Sequence, residues 1–442
     1  LPKQEINHQT AYSKIYICLE SKLSMRVFKF GGASVKDAKA IQNLAAIVQL
    51  FLLDDVVIVI SAMGKTTNAL EAIAKAWYSV ANHKLELVAE LRSFHSEICK
   101  ELFKDDSHPI FELLNNTLAE LEWSLEENNV AYNQYYDQCV SYGELLSTMI
   151  VSAYLNEQKI ANKWCDAREM IKTDDTYREG NIDWKQTETL TKKIIDASLK
   201  EAKIIVTQGF IGCTQENYTT TLGREGSDYT AAIIAYCLNA QEVTIWKDVP
   251  GILNADPKKF QDTQVINNLS YFDTIELAYY GATVIHPKTL KPLQNKHIPL
   301  FVKSFLDPQL QGTQVSDNAA TDRIPSFISK ENQALISIFP KDFSFIVEDN
   351  LSDIFNLLAS KRVKVNVMQN SALSFSVCIE NYEDKLHQII PELQKNYKVL
   401  FNENVQLLTI RYYTNDVIQQ LTQNREVILE QKSRHTCQFV LK

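Results

Sequence analysis

Three times in this chain a short run of apolar residues stops at a turn built on glycine. Arg26-Val-Phe-Lys-Phe30 runs into Gly31-Gly32-Ala33-Ser34, Val56-Val-Ile-Val-Ile60 into Ser61-Ala-Met-Gly64, and Lys203-Ile-Ile-Val-Thr207 into Gln208-Gly-Phe-Ile-Gly212. After the first turn, Asp37 to Phe51 places Ile41, Leu44, Ala45 and Val48 at helical spacing. A helix between two strands calls for parallel pairing, because a hairpin cannot hold it. The chain therefore reads as α/β. Strand, glycine turn, helix is also an arrangement that cradles phosphate, since amides at a helix start favour an anion. Lys29 sits one residue from the end of its strand. Its ammonium can reach the turn, or it can face solvent.

The densest chemistry lies in Thr221-Leu-Gly-Arg-Glu-Gly-Ser-Asp-Tyr-Thr-Ala-Ala232. Two glycines three apart allow close backbone approach. Arg224 offers a fork for a carboxylate or phosphate. Asp228 is suited to position a cation or a lysine. The plainer alternative is a helix N-cap at Ser227 or Asp228. Gly64-Lys65-Thr66 imitates the end of a Walker A loop, but that pattern needs glycine where Val59 stands.

Composition excludes several classes. With 54 acidic and 45 basic residues the net charge is −9, which argues against a general nucleic-acid surface. No apolar run is long enough to span a membrane. Cys18, Cys99, Cys139, Cys165, Cys213, Cys237, Cys378 and Cys437 are scattered, with no C-x-x-C pair. They read as reduced thiols of a cytoplasmic protein, not a disulfide framework or a metal site. Residues 1–24 are set apart as an N-terminal extension.

Helices are expected at 70–83, 84–104, 109–127 and 138–156, with 128–136 as a polar and aromatic connector. Glu144, alone in a helix, reads as a solvated residue. Strands follow at 161–166 and 243–246, with helices at 229–238 and 273–280. His286 before Pro287 is read as structural, in extended backbone. Residues 307–325 are rich in Gln, Asp, Asn, Thr and Pro and read as a linker. The pattern then changes to βαββαβ over about 326–404, the ferredoxin-like order, with a turn at Gln369-Asn370-Ser371. Residues 405–442 begin the series again as βαββ and stop.

Taken together, the stretches resemble aspartate kinases of the amino-acid kinase superfamily. The residues carrying this are Lys29-Phe-Gly-Gly-Ala-Ser-Val35, Ser61-Ala-Met-Gly-Lys-Thr-Thr-Asn68, Gly143-Glu144, Gln208-Gly-Phe-Ile-Gly212, Thr221-Leu-Gly-Arg-Glu-Gly-Ser-Asp228, Trp246-Lys-Asp-Val-Pro-Gly251, Asp256-Pro257 and Tyr280-Gly-Ala-Thr-Val-Ile-His-Pro287. The resemblance implies a catalytic domain at 25–306, with a mostly parallel sheet covered by helices on both faces. It implies ACT domains at 326–404 and, truncated, at 405–442.

It also implies phosphoryl transfer from ATP, with Mg2+, to the β-carboxylate of L-aspartate, giving 4-phospho-L-aspartate, the first step toward lysine, threonine and methionine. Lys29 then meets the transferring phosphoryl beside the Gly31 and Gly32 amides, and Asp228 orients that lysine. Arg224 takes the aspartate α-carboxylate and Glu144 its ammonium, with Ser61, Thr67 and Ser227 lining the substrate side. Trp246, Lys247, Asp248 and Lys258 fall on the nucleotide side. No side-chain metal site is implied. ACT domains imply a homodimer and a lysine or threonine effector.

The chain departs from the family at Ala33, Glu225, Leu253 and Thr283, where Thr, Gly, Tyr and Lys are usual. Lys247, Lys259 and Lys288 are candidates to replace the lost cation. Within the regulatory half, Ile346 to Leu351 replaces a glycine-rich helix start and Asn366 an acid. Two other readings stay open. One is a related kinase acting on glutamate, acetylglutamate or UMP. The other is an amino-acid sensor whose kinase site has decayed, motivated by Ala33, Glu225 and Thr283.

Overall fold

The computed structural model describes residues 25–282, 285–317, 322–342 and 344–442. The extension at 1–24 and the departure at Thr283 lie outside them.

The first unit opens with β1 (Met25–Phe30), α1 (Ala38–Gln49) and β2 (Asp55–Ile60). Four helices follow, α2 (Thr66–Tyr78), α3 (Lys84–Leu102), α4 (Pro109–Ser124) and α5 (Tyr132–Glu157). Then come β3 (Asn162–Cys165), α6 (Ala167–Met170), α7 (Trp184–Ser198), β4 (Ile204–Gln208), β5 (Ile211–Cys213), β6 (Thr219–Thr221) and α8 (Gly226–Leu238). The unit closes with β7 (Glu242–Lys247), β8 (Asn268–Leu269), α9 (Tyr271–Tyr280), α10 (Pro287–Asn295), β9 (Leu300–Ser304) and β10 (Thr313–Val315).

Eight of these strands form one sheet in the order β3-β4-β2-β1-β7-β9-β10-β8. β1 pairs in parallel with β2 and with β7, and only β10 against β9 runs antiparallel. Five successive residues of β2, Val56 to Ile60, are buried. Both of its faces are therefore covered, as a parallel sheet requires. Because β1 and β2 lie side by side at the centre, their two C-terminal loops end next to each other. In an open parallel sheet that is where ligands bind.

Several boundaries differ from the sequence reading, each for a local reason. α2 begins at Thr66, not residue 70, so Thr67 lies in a helical first turn. α5 begins at Tyr132, because Trp77 stacks on Tyr135 at 3.7 Å and draws the expected connector into the helix. α8 begins at Gly226, which puts Asp228 in its first turn. The expected linker at 307–325 contributes β10 to the main sheet.

The second half comprises β11 (Ser326–Pro340), α11 (Glu348–Ser360), β12 (Val365–Ser371), β13 (Ser374–Glu380), α12 (Glu383–Asn396), β14 (Tyr397–Arg411), α13 (Asn415–Thr422), β15 (Val427–Lys432) and β16 (Thr436–Leu441). The expected turn at 369–371 is strand: Asn370 pairs with Phe375 and Ser371 with Ser374. A single antiparallel sheet runs β12-β13-β11-β14-β16-β15. β11 and β14 are each 15 residues long and pair along their length. The boundary expected at 404/405 thus falls inside a continuous strand. The end of β11 at Ser326 to Lys330 pairs with Leu407 to Arg411 and completes the sheet of the shorter unit.

A buried ion cluster fastens this half to the first. Arg411 of β14 and Asp273 of α9 are both nearly sealed from solvent. Arg411 Nη1 also lies 3.1 Å from Glu276 and donates to Thr436 Oγ1 at 3.2 Å. The Tyr412 hydroxyl donates to Asp273 at 2.6 Å. Removing one member of a buried pair costs more than the pair itself is worth, because the other charge stays buried. Arg411→Met is therefore expected to destabilise the protein by roughly 3–5 kcal/mol, and adding Asp273→Leu to recover most of the loss. Urea titration followed by tryptophan fluorescence measures both.

Candidate active site

The ends of β1 and β2 touch backbone to backbone. Gly64 N–H donates to the Gly32 carbonyl at 3.0 Å, and Ser61 N–H to the Phe30 carbonyl at 3.1 Å. A Cβ on Gly32 would sit 2.8 Å from the Ala62 carbonyl oxygen, so only glycine permits this approach. A larger gap opens beside it. The cavity measures about 680 Å3 and is lined by residues of β1, α2, α5, the turn before α8 and the end of β7.

Lys29 and Asp228 meet in its wall. Lys29 Nζ lies 2.7 Å from Asp228 Oδ1, with side chains 12% and 4% exposed. A charge so little hydrated needs a partner, and each supplies the other's. Asp228 reaches the strand because α8 descends onto the loop after β4. There a Cβ on Gly209 would fall 2.4 Å from Ser227 Cβ. Small residues along α8, such as Ala231, Ala232 and Ala235, let that helix bury on all sides.

α5 brings two more acids. Glu144 is 2% exposed, so the solvated role expected for a lone helical glutamate is corrected. Gly143 beside it clears the way, since a Cβ there would meet Ala62 Cβ at 2.9 Å. Glu144 Oε1 accepts the Ala62 N–H at 3.1 Å, while the buried Oε2 has no hydrogen-bond partner among the described residues. Burial pushes its carboxyl up to about 8, against the pull of the Ala62 amide and of Lys29. Two turns earlier, Asp137 accepts the N–H groups of Arg178 and Thr221 and the Thr221 hydroxyl, each at 2.8 Å. Burial raises it to about 6, less than Glu144, because three donors oppose the shift.

Of the residues singled out from sequence, Lys29, Ser61, Thr67, Glu144, Arg224, Ser227, Asp228 and Lys247 line one cavity. Gly31 lies at its edge, where a Cβ would be 3.3 Å from Lys29 Nζ. Trp246 does not line it. Its ring is buried in the core, 6.0 Å from the Phe30 ring and 5.8 Å from Phe28, so no indole surface is offered to a nucleotide. Asp248 and Lys258 are exposed outside the cavity, and Lys258 N–H donates to Asp256. The three candidate replacement cations also separate. Lys247 faces the cavity, whereas Lys259 bonds Ser329 and Lys288 bonds the Leu222 carbonyl.

Sequence reading missed Glu71, Tyr136, Arg178, Glu179 and Phe210, which also line the cavity. Arg178 lies 4.1 Å over the Tyr136 ring, and Tyr136 donates to Glu71. Arg178 and Phe210 have left-handed backbones. Nothing in the residues 176–180 marks them in isolation; Asp137 places them. Among the described residues no group of three His, Cys, Asp or Glu side chains could hold a metal ion.

A carboxyl raised on folding binds its proton more tightly in the native state than in the unfolded one. Stability then falls as pH rises from the unfolded value to the folded one. For Glu144 that window runs from 4.5 to about 8. Glu144→Gln is expected to flatten the decline in melting temperature of the ligand-free protein between pH 5 and 8, with Asp137 leaving a residual slope below about 6. Thermal unfolding across that range checks it.

Comparison with known proteins places these features. The amino acid kinase family profile matches residues 24–304. Lysine-sensitive aspartokinase 3 of Escherichia coli (strain K12) is 32% identical over 80% of this chain and 78% of its own length. Chloroplastic aspartokinase 1 of Arabidopsis thaliana is 31% identical, over 84% of this chain and 67% of that protein. The chain spans 42% of the bifunctional aspartokinase/homoserine dehydrogenase 2 of Arabidopsis thaliana. The crystal structure of E. coli aspartokinase III with aspartate and ADP superposes with a TM-score of 0.77 at 27% identity, covering 95% of this chain and 96% of that one. The same enzyme with lysine and aspartate gives 0.78 at 28%, covering 94% and 95%. The chain belongs to the amino acid kinase family, on its aspartokinase branch.

Proposed function

We propose that this protein transfers the terminal phosphoryl group of MgATP to the β-carboxylate of L-aspartate, giving 4-phospho-L-aspartate and ADP. The observation that carries this reading is the convergence of the Lys29–Asp228 pair, Glu144 and Arg224 on one cavity. A β-carboxylate is ionised at neutral pH, so its oxygen attacks phosphorus with no general base. A P–O bond forms to the carboxylate as the bond to the bridging oxygen of ADP breaks. The obstacle is repulsion between anions, and fixed cations and amides lower it.

Lys29 is assigned to the transferring phosphoryl, held in place by Asp228, with the Gly31 and Gly32 amides beside it. Arg224 takes the α-carboxylate. The unpaired Oε2 of Glu144 takes the ammonium, which restores the charge that burial opposes. Ser61, Thr67 and Ser227 close the substrate side. Lys247, Asp248 and Lys258 are assigned to the nucleotide side. The donor set suits a magnesium ion that rides on the nucleotide phosphates more than one caged by side chains. When bound, such an ion would supply neutralising charge to the phosphate oxygens.

The regulatory half is proposed to form a homodimer and to respond to lysine, as the name of the E. coli relative states of that protein. Asn366 bonds Lys330 and Gln333 within the chain, so an effector there meets an amide already engaged. A reducing, cytoplasmic setting is proposed from the seven described cysteines, all free and buried. No helix of the described residues is long and apolar enough to cross a membrane.

Trapping the acyl phosphate with hydroxylamine tests the chemistry. Signal with aspartate, and none with glutamate or acetylglutamate, is expected, and lysine at millimolar concentration is expected to suppress it. Amino-acid binding with no turnover would favour the sensor. Lys29→Met and Asp228→Asn are expected to lower kcat by at least about 100-fold, and Arg224→Ala to raise KM for aspartate at nearly unchanged kcat. Because the ammonium needs ionised Glu144, KM for aspartate is expected to fall between pH 6 and 8 and to lose that dependence in Glu144→Gln. Light scattering at micromolar concentration is expected to show a dimer; a monomer alone would refute the assembly.

A further inference from the structure

Glu225 stands beside Arg224 at the turn that starts α8, with a left-handed backbone at φ +54°. Glycine adopts that conformation freely, whereas a side chain meets steric resistance. The turn also faces the cavity assigned to two anionic substrates, where a carboxylate adds repulsion. Both costs point to a contact that offsets them.

That contact is made to α10. Glu225 Oε2 accepts the backbone N–H of His286 at 2.9 Å. His286 is the N-cap of α10, and its ring accepts the Lys288 N–H at 3.2 Å. Lys288 in turn reaches back, donating to the Leu222 carbonyl at 3.3 Å and lying 5.0 Å from the Tyr229 ring. The start of α10 thus holds the turn on both sides of Arg224. Arg224 itself is exposed and has no ion-pair partner among the described residues. Among the described residues, its guanidinium is therefore placed by the backbone of this turn, with no ion pair at its tip.

We propose that Glu225 is a positioning residue for the amino-acid substrate. Its carboxylate ties the turn to α10, and this tie sets where Arg224 presents its fork. The inference rests on the assignment of Arg224 to the aspartate α-carboxylate. On it, Glu225 is not damage to a kinase site but a substitute for the adaptability of glycine: a fixed turn in place of a free one.

Steady-state kinetics of Glu225→Gly, Glu225→Asn and Glu225→Gln test the tie. Gly suits the left-handed turn but offers no acceptor. Asn tolerates the turn but is one methylene too short to reach His286. Gln keeps an oxygen that accepts the same N–H. Loss of one hydrogen bond's worth of placement is expected to raise KM for aspartate about tenfold in Gly and Asn. In those two, kcat and KM for ATP are expected to stay within about threefold, and Gln within about twofold of the parent throughout. Melting temperature is expected not to fall in Gly, where backbone resistance is relieved.

An unchanged KM for aspartate in Gly and Asn would overturn the proposal. So would a Gln variant as impaired as Gly, since charge and not the hydrogen bond would then be at work. If Gly and Asn fail to fold, Lys288→Met removes the other hold; an unchanged KM there would overturn it as well. A parent enzyme that gives no hydroxamate with aspartate overturns the substrate assignment and this inference together. An active parent with indifferent variants overturns this inference alone.

Discussion

The ion pair between Lys29 and Asp228 sets terms for much of the first unit. Separating two opposite charges so little exposed would leave each without its partner, so the pair holds β1 to the start of α8. Bringing a helix that close to the strand ends dictates residue size around it. Gly209 has no room for a Cβ against Ser227, and one on Gly226 would meet the Phe210 ring at 2.7 Å. Alanines along α8 let it sink into the core beneath. The glycines and small residues of this region are therefore consequences of one electrostatic contact.

α5 shows how one helix gives two carboxylates different work. Asp137 and Glu144 are seven residues apart, two turns along one face. Three donors converge on Asp137, and it holds the loop bearing Arg178 to the strand that leads into the turn of Arg224. Glu144 receives one amide and leaves an oxygen without a partner. Both are raised by burial, but to about 6 in the first and about 8 in the second. The satisfied acid organises the protein. The unsatisfied acid is the one with capacity for a cationic group from outside.

The parallel sheet was legible because strand, glycine turn and helix follow one another in the chain, and the order alone demands crossovers. The stretch of Arg224 and Asp228 stood out because glycines and charged residues crowd into it, whereas the spacing around Lys29 left it between the turn and solvent. Glu144 was not legible from its surroundings in sequence, since its burial comes from packing against Ala62, 82 residues away. It entered only through the resemblance. Arg178 and Tyr136 escaped both routes, as their placement depends on Asp137. Trp246 was misplaced for the opposite reason. It adjoins a polar stretch in sequence, yet strand alternation turns its ring to the aromatic core of Phe28 and Phe30.

The join between the halves follows from strand length. Two separate domains would need strands of ordinary length, but β11 and β14 run 15 residues each and make one sheet of two units. The register of such a sheet is strongly specified, since slipping one residue would turn every side chain to the wrong face. Arg411 lies at the end of β14, where that sheet meets α9. Apolar packing there would serve stability as well or better. What a directional cluster of Arg411, Asp273, Glu276 and Tyr412 adds is a fixed register between strand and helix. α9 packs against α10, whose first amide is held by Glu225. The C-terminal sheet and the turn of Arg224 are therefore linked in space through α9 and α10, with polar contacts of defined geometry at the two ends: Arg411 to Asp273 and Glu276, and Glu225 to His286.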